Sequence, residues 1–187
     1  MRAFLSYDID DPSLITRIRD LQHELDLTGA DLKLVDPEIM HFTIRFLGEI
    51  DEQDKEDIIS ALKGKVENFD LQISFRGVGT FPDERRISVV WVGIDPASGE
   101  ELSRQAVEVN RLLSHLNTLH SDKDDRFSPH VTIARVRSGK NKEKLVEFVR
   151  NNKTLELGRT KIEKLRLKLS RLTPAGPEYS DLHVFEK

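Results

Sequence analysis

Two histidines of this chain stand in the same local setting. His41 and His130 each open a His-x-Thr-Ile sequence, at residues 41–44 and 130–133. Side chains two positions apart on a β-strand point to the same side of the sheet. If both motifs lie on strands, each therefore places an imidazole beside a threonine hydroxyl, from Thr43 or Thr132, on one face and turns apolar residues to the other.

The chemistry available to such a pair is acid–base catalysis on a small tetrahedral anion. If the two strands lie side by side across a pseudo-twofold axis, both pairs face one cleft. The hydroxyls of Thr43 and Thr132 can then donate to phosphate oxygens, while one imidazole accepts a proton from the nucleophile and the opposite imidazolium protonates the leaving oxygen. An ordinary histidine pKa of about 6.5 makes both protonation states accessible near neutral pH.

Other interpretations of the histidines remain open at this point. A single His-x-Thr motif on a strand is more often structural, and only the repetition favours function. Two histidines could also hold zinc, but a catalytic zinc normally has three protein ligands, and the sequence contains no His-x-x-x-His pair. We expect no metal and no cofactor.

Basic residues near the motifs are candidate contacts for phosphate or for an RNA backbone. Arg45 shares the strand face of His41 and Thr43. Arg135 lies five positions after His130, which in a regular strand is the opposite face, so it needs a bulge or a strand end to reach the site. Residues 164–170 alternate basic and leucine side chains. We expect Arg166 and Lys168 to form a positive wall, and a sheet face that is merely solvated is the alternative.

Aromatic residues are scarce, at 6% of the chain. A platform that stacks many bases is therefore not predicted. One or two bases could still stack on an aromatic ring near the motifs, and the candidates are Phe46, Phe81, Phe127 and Tyr179.

The elements that must position these residues can be predicted from hydrophobic periodicity and capping signals. The chain of 187 residues predicts one domain, residues 1–187, built of two lobes with duplicated strand–turn–helix units. We expect strands at 3–8, 41–47, 71–79, 87–94, 129–136, 162–169 and 180–185, helices at 12–25, 51–66, 98–116 and 141–150, and a loop at 121–126.

Composition excludes several classes of function. The chain has no cysteine, which removes disulfide scaffolds, thiolate nucleophiles and thiolate-held metal clusters, and its net charge of −4 argues against broad coating of nucleic acid. No apolar run approaches the roughly 20 residues of a membrane span. We expect a cytosolic, cytoplasmic monomer.

The two motifs carry a family resemblance. His41-Phe-Thr-Ile-Arg-Phe-Leu-Gly48 and Ser128-Pro-His-Val-Thr-Ile-Ala-Arg135 resemble the paired motifs of the 2H phosphoesterases, and within them the LigT-like RNA 2′,3′-cyclic phosphodiesterases, also called 2′-5′ RNA ligases. Further segments that resemble this branch are at 2–8, 77–82, 90–93 and 176–182.

The resemblance implies a bilobal α+β fold in which two antiparallel sheets with flanking helices surround a central cleft. It implies metal-free hydrolysis of an RNA terminal 2′,3′-cyclic phosphate to a 2′-phosphate, reversible to 2′-5′ ligation without ATP. His41 then becomes the proton donor, His130 the proton acceptor, and Thr43, Thr132 and Arg135 the phosphate-binding residues. A phosphodiesterase acting on small cyclic nucleotides and a non-catalytic module that binds RNA ends or nucleotides are the alternatives.

Overall fold

The chain forms two antiparallel sheets with helices packed against them. The computed structural model describes residues 1–67, 69–116, 128–174 and 176–186, and in these ranges it contains nine strands and four α-helices. One sheet has four strands and the other has five, and all of the strand pairs are antiparallel. The predicted α+β fold class is confirmed.

The four-stranded sheet carries the first motif. Its spatial order is β3 (His41–Glu49), β1 (Arg2–Asp8), β8 (Leu165–Thr173) and β9 (Gly176–Phe185). The core face of β1 is apolar, because Ala3, Leu5 and Tyr7 are all buried there.

The five-stranded sheet carries the second motif. Its spatial order is β2 (Leu32–Leu34), β6 (Val131–Val136), β5 (Arg86–Ile94), β4 (Leu71–Asp83) and β7 (Glu156–Ile162). His130 directly precedes β6, so the two histidines stand at the beginnings of strands in different sheets.

Helices cover the two sheets and link them. Helix α1 (Pro12–Asp26) packs on β6 and β7, and α4 (Lys142–Asn151) packs on β4. Helix α3 (Pro96–Leu113) contacts α2 (Glu52–Leu62) and strands of both sheets, β3 and β4. A single buried core runs through both sheets, and at its centre the rings of Phe42 and Phe75 lie 5.5 Å apart. The two sheets are thus held together by shared apolar packing.

Several predicted boundaries differ from the structure. Helix α3 begins at Pro96, and not at residue 98 as predicted, because Asp95 caps it by accepting from the backbone N–H groups of Ala97 and Ser98. Residues Pro82 and Asp83 lie within β4, and the chain turns after them.

Short or weakly patterned elements were missed in the sequence. Strand β2 has three residues, too few to show a period, and β7 contains only two apolar side chains, Leu157 and Ile162, among charged residues, a glycine and a threonine. Helix α2 is shorter than the predicted 51–66, although Val66 is buried as expected. The predicted loop at 121–126 and Phe127 lie outside the described residues.

No helix among the described residues combines the length and the apolar character needed to cross a membrane.

Candidate active site

Both motif histidines line one cleft of about 1520 Å³. Thr43 and Thr132 line the same cleft, as their spacing from the histidines predicts. The strands that carry them belong to different sheets, so the cleft is formed where the two sheets face each other.

Each imidazole is oriented by a backbone carbonyl two residues earlier in the chain. Nδ1 of His41 lies 2.9 Å from the oxygen of Ile39, and Nδ1 of His130 lies 2.6 Å from the oxygen of Ser128. Since a carbonyl can only accept, Nδ1 must carry the proton in both rings. Nε2 is then the ring atom that can accept a proton in the neutral ring and donate one in the charged ring.

A β-bulge stands at the same place in each motif. In the pairing of β1 with β3, Thr43 and Arg45 have register partners and Ile44 between them has none. In the pairing of β5 with β6, Thr132 and Ala134 have partners and Ile133 has none. The two motifs therefore share a backbone irregularity at the same position in addition to their residue types.

The bulge at Ile133 explains how Arg135 reaches the cleft. An extra residue shifts the alternation of side chains by one position. Ile133 and Ala134 are consequently both buried, and Arg135 turns to the cleft side with Thr132. Strict strand alternation put Arg135 on the opposite face, and that expectation is wrong.

Phe46 occupies in the first motif the position that Arg135 occupies in the second, five residues after the histidine. It lines the cleft with 56% of its surface exposed. Arg45 lines the cleft as well, and its Nη1 donates to Oδ1 of Asn110 at 3.0 Å. This contact ties the first motif strand to helix α3.

Aromatic rings pack against each histidine. The ring of His41 meets Tyr179 edge-on at 5.2 Å and lies 5.0 Å from Phe4. The ring of His130 meets Phe81 edge-on at 4.8 Å and lies 6.3 Å from Trp91. Tyr179 and Phe81, both candidates from the sequence, thus wall the histidines and line the cleft.

The environment of the histidines favours their neutral forms. Burial lowers the pKa of His41, an effect opposed by the hydrogen bond to Ile39 and by the negative charge of Asp8, and the positive charge of Lys168 lowers it further. Burial likewise lowers the pKa of His130, opposed by its hydrogen bond to Ser128. Both rings therefore titrate below their ordinary range.

The cleft is locally positive although the chain is acidic. Among the described residues that line it, four are basic and one, Asp36, is acidic; the basic ones are Arg2, Lys33, Arg45 and Arg135. A phosphate in this cleft would meet cations and hydroxyls. The net charge of −4 is consequently no guide to the charge of the site.

Arg166 and Lys168 do not form the predicted positive wall. Neither belongs to the described residues that line the cleft. Nη1 of Arg166 lies 2.6 Å from Asp181, and Lys168 forms an ion pair with Asp8 while only 8% of its side chain is exposed. The alternating pattern of β8 predicted a cationic face, but it could not show that carboxylates of β1 and β9 neutralise it.

Sequence reasoning also missed residues of the cleft. Phe4 could have been found, because it lies on the face of β1 opposite the apolar Ala3 and Leu5. Lys33 and Asn110 gave no signal, since one lies on a strand of three residues and the other on the face of a long amphipathic helix.

A metal site has no support among the side chains that the structure describes. Within those ranges no group of three or more histidine, aspartate or glutamate residues could hold an ion. What the site offers is two imidazoles, two hydroxyls and an arginine that line one cavity, which is a set suited to proton transfer at a phosphate.

Comparisons with known proteins agree with this arrangement. A family model described as the AKAP7 2′5′ RNA ligase-like domain matches residues 3–180. A protein of Archaeoglobus fulgidus named RNA 2′,3′-cyclic phosphodiesterase is 37% identical over 186 residues, covering 100% of both chains. One of the same name from Methanothermobacter thermautotrophicus is 34% identical and covers 99% of this chain and 98% of its own.

Solved structures show the same fold. A Thermus thermophilus protein superposes with a TM-score of 0.76 at 23% identity, covering 99% of this chain and 97% of its own. Escherichia coli LigT in complex with 3′-AMP superposes with a TM-score of 0.73 at 19% identity, covering 98% and 95%. From the paired motifs, the shared cleft and these matches, we conclude that the chain belongs to the LigT-like, 2′-5′ RNA ligase-like family of 2H phosphoesterases.

Proposed function

We propose that this protein hydrolyses the 2′,3′-cyclic phosphate at the end of an RNA chain to a 2′-phosphate, without a metal ion. The observation that carries the proposal is that His41 and His130, each held through Nδ1 by a backbone carbonyl and with no hydrogen bond to Nε2 from the described residues, line one cleft with Thr43 and Thr132. Full-length relatives named RNA 2′,3′-cyclic phosphodiesterase support the choice of substrate.

The reaction needs one proton acceptor and one proton donor on opposite sides of the phosphorus. His130 in its neutral form accepts a proton from the attacking water, and His41 in its protonated form gives one to O3′ as the P–O3′ bond breaks. The phosphate remains on O2′. Two histidines with free Nε2 atoms are sufficient for both transfers.

Thr43, Thr132 and Arg135 bind the phosphate. The hydroxyls of Thr43 and Thr132 donate to the non-bridging oxygens, and the guanidinium of Arg135 neutralises the charge that builds up in the transition state. Arg135 holds this place because of the bulge at Ile133.

The nucleotides next to the cyclic phosphate have candidate contacts in the same cleft. Phe46 and Tyr179 offer rings on which a base can stack, and Arg45 offers a cation to a backbone phosphate. Arg166 and Lys168 do not belong to this set, because each forms an ion pair with a carboxylate. A cleft of about 1520 Å³ also exceeds the roughly 300–1,000 Å³ of a site for a single small ligand, which favours an RNA end over a mononucleotide.

The same steps with a different nucleophile would join two RNA chains. An RNA 5′-hydroxyl in place of water would attack the phosphorus, and a 2′-5′ phosphodiester would form without ATP. We propose this ligation as a second outcome of one site, and not as a separate activity.

The test is an assay of the purified protein on an oligoribonucleotide with a 2′,3′-cyclic phosphate, in the presence of EDTA. We expect a product that carries a 2′-phosphate only, and faster turnover of the oligonucleotide than of the cyclic mononucleotide. A 3′-phosphate product or loss of turnover on chelation would contradict the mechanism. Faster turnover of the mononucleotide would favour the small-molecule phosphodiesterase, and tight binding without turnover would favour the non-catalytic module.

A further inference from the structure

A cluster of buried charges lies behind His41, in the sheet that carries it. Asp8 of β1 is the direct register partner of His41 of β3. Cross-strand partners have neighbouring side chains on one face of an antiparallel sheet. The carboxylate of Asp8 is therefore the first charged group that the imidazole meets within its own sheet.

Asp8 is held by contacts from two strands. Its Oδ1 accepts from the hydroxyl of Ser6 at 3.2 Å, and its Oδ2 is in an ion pair with Nζ of Lys168 and lies 3.4 Å from Nε of Arg166. Only 16% of the side chain of Asp8 and 8% of that of Lys168 are exposed. The pair is thus fixed in a site with little water to screen its charge.

The cluster carries a net negative charge. Besides Asp8, Lys168 and Arg166 it contains Asp181, which lies 3.8 Å from Nζ of Lys168, and Asp10, which lies 3.1 Å from Nη2 of Arg166. Three carboxylates against two cations leave one negative charge. A buried ion pair of this kind is weak evidence for a role in stability, because apolar residues of similar volume in its place often stabilise a fold at least equally.

His130 has a different environment. Its ring contacts are Phe81 and Trp91, and among the described residues no charged group perturbs it; burial and the Ser128 carbonyl are the influences on its pKa. His41 faces the charges of Asp8 from β1 and of Lys168 from β8, together with the ring of Tyr179 from β9. The two motifs are alike in sequence and geometry, but among the described residues only His41 has a fixed charged pair behind it.

We propose that Asp8, held in place by Lys168, is a positioning residue that stabilises the imidazolium form of His41 and so makes this histidine, and not His130, the proton donor. The negative carboxylate favours the charged ring, and Lys168 limits that effect while it fixes the carboxylate. The inference deepens the proposed function and rests on it, since it explains how two equivalent motifs take opposite roles in one reaction.

The first experiment follows the His41 imidazole directly, by NMR titration of the free protein. Asp8→Asn removes the negative charge with little change of shape, and we expect it to lower the pKa of His41. Lys168→Met removes the positive charge and is expected to raise it. The pKa of His130 should stay where it is in both variants.

Controls separate this electrostatic role from damage to the fold. Asp10→Asn removes an equal charge from the exposed edge of the cluster, where it pairs with Arg166 and interacts with Lys164, and should leave the titration of His41 unchanged. Lys168→Arg keeps the positive charge and should leave the pKa of His41 as in the wild type. The double variant Asp8→Asn with Lys168→Met should shift the pKa of His41 less than either single change does. Far-ultraviolet circular dichroism checks that each variant is folded.

The second experiment is the pH profile of kcat/KM on the cyclic-phosphate oligonucleotide. Asp8→Asn should lower kcat/KM several-fold on the alkaline side of the profile, where the donor must keep its proton. On the acidic side kcat/KM should decrease less. Shifts of His41 in the same direction in both single variants, or no shift, would overturn the proposal. Since the titration needs no turnover, a wild-type protein that fails to hydrolyse the substrate would refute the proposed function while the titration still decides the electrostatic claim.

Discussion

Replacement of the motif histidines by asparagine separates their chemistry from their structural role. The side-chain amide of asparagine places a nitrogen donor close to the position of Nδ1, so His41→Asn and His130→Asn can keep the hydrogen bonds to Ile39 and Ser128. The same replacement removes Nε2. Alanine removes both groups and leaves a carbonyl without its donor.

The expected magnitudes follow from these contacts. Loss of one general acid or base costs about 10²–10⁴ in rate, or about 2.7–5.5 kcal/mol on the barrier. A carbonyl left unsatisfied costs about 1–3 kcal/mol of stability when it is buried. We therefore expect both asparagine variants to be strongly impaired in activity but close to the wild type in stability. His41→Ala should lose both, because the contact with the Ile39 carbonyl is partly buried, whereas the Ser128 carbonyl is exposed to water and His130→Ala should lose mainly activity.

The assay measures kcat/KM on the cyclic-phosphate oligonucleotide together with unfolding in urea. The double variant His41→Asn with His130→Asn should be little slower than the slower single variant, because residues that act together in one step are not additive. Activity of either asparagine variant within tenfold of the wild type would refute the acid–base role. A loss of activity that follows the loss of stability would show that the histidines are structural.

Three further predictions concern the cleft and its support. Arg135→Ala should lower kcat/KM by about 10–100-fold through the loss of a charge-assisted contact, and Arg135→Lys should lower it less. Equal steady-state rates for Arg135→Ala and the wild type would exclude a role in phosphate binding. Gly79→Ala should destabilise the protein by about 1–3 kcal/mol in urea unfolding, because a Cβ there would lie 2.2 Å from the Trp91 ring that backs His130; wild-type stability would contradict this. The pKa values of His41 and His130 are lowered in the folded state, so the unfolded state binds more protons below about pH 6.5. The urea concentration at the unfolding midpoint should therefore decrease as the pH is lowered from about 6.5. The midpoint of the double asparagine variant should decrease less.

Much of the site could be predicted from the chain because the information is local. The period of a strand places His41 with Thr43 and His130 with Thr132 from spacing alone, and the repetition of the motif pointed to one shared cleft. The structure confirms both, since all four line the cleft. The apolar faces of the helices and the α+β class follow from the same kind of short-range pattern.

The remaining features depend on partners that are distant in the chain. The orientation of Arg135 depends on a bulge that β6 forms against β5, and a single strand does not reveal where its ladder is interrupted. Arg166 and Lys168 appear on β8 as a cationic stripe, but carboxylates of other segments pair with them, among them Asp8, about 160 residues earlier.

The sequence by itself determined which groups are candidates for the chemistry, because residue type and period-two spacing are properties of a short segment. The tertiary structure decided which cations face the substrate and which histidine has a charged pair behind it. The physical reason is that electrostatic neighbours are chosen by the pairing of strands far apart in the chain. The same charges can therefore line a cleft or neutralise one another, and only the fold distinguishes the two.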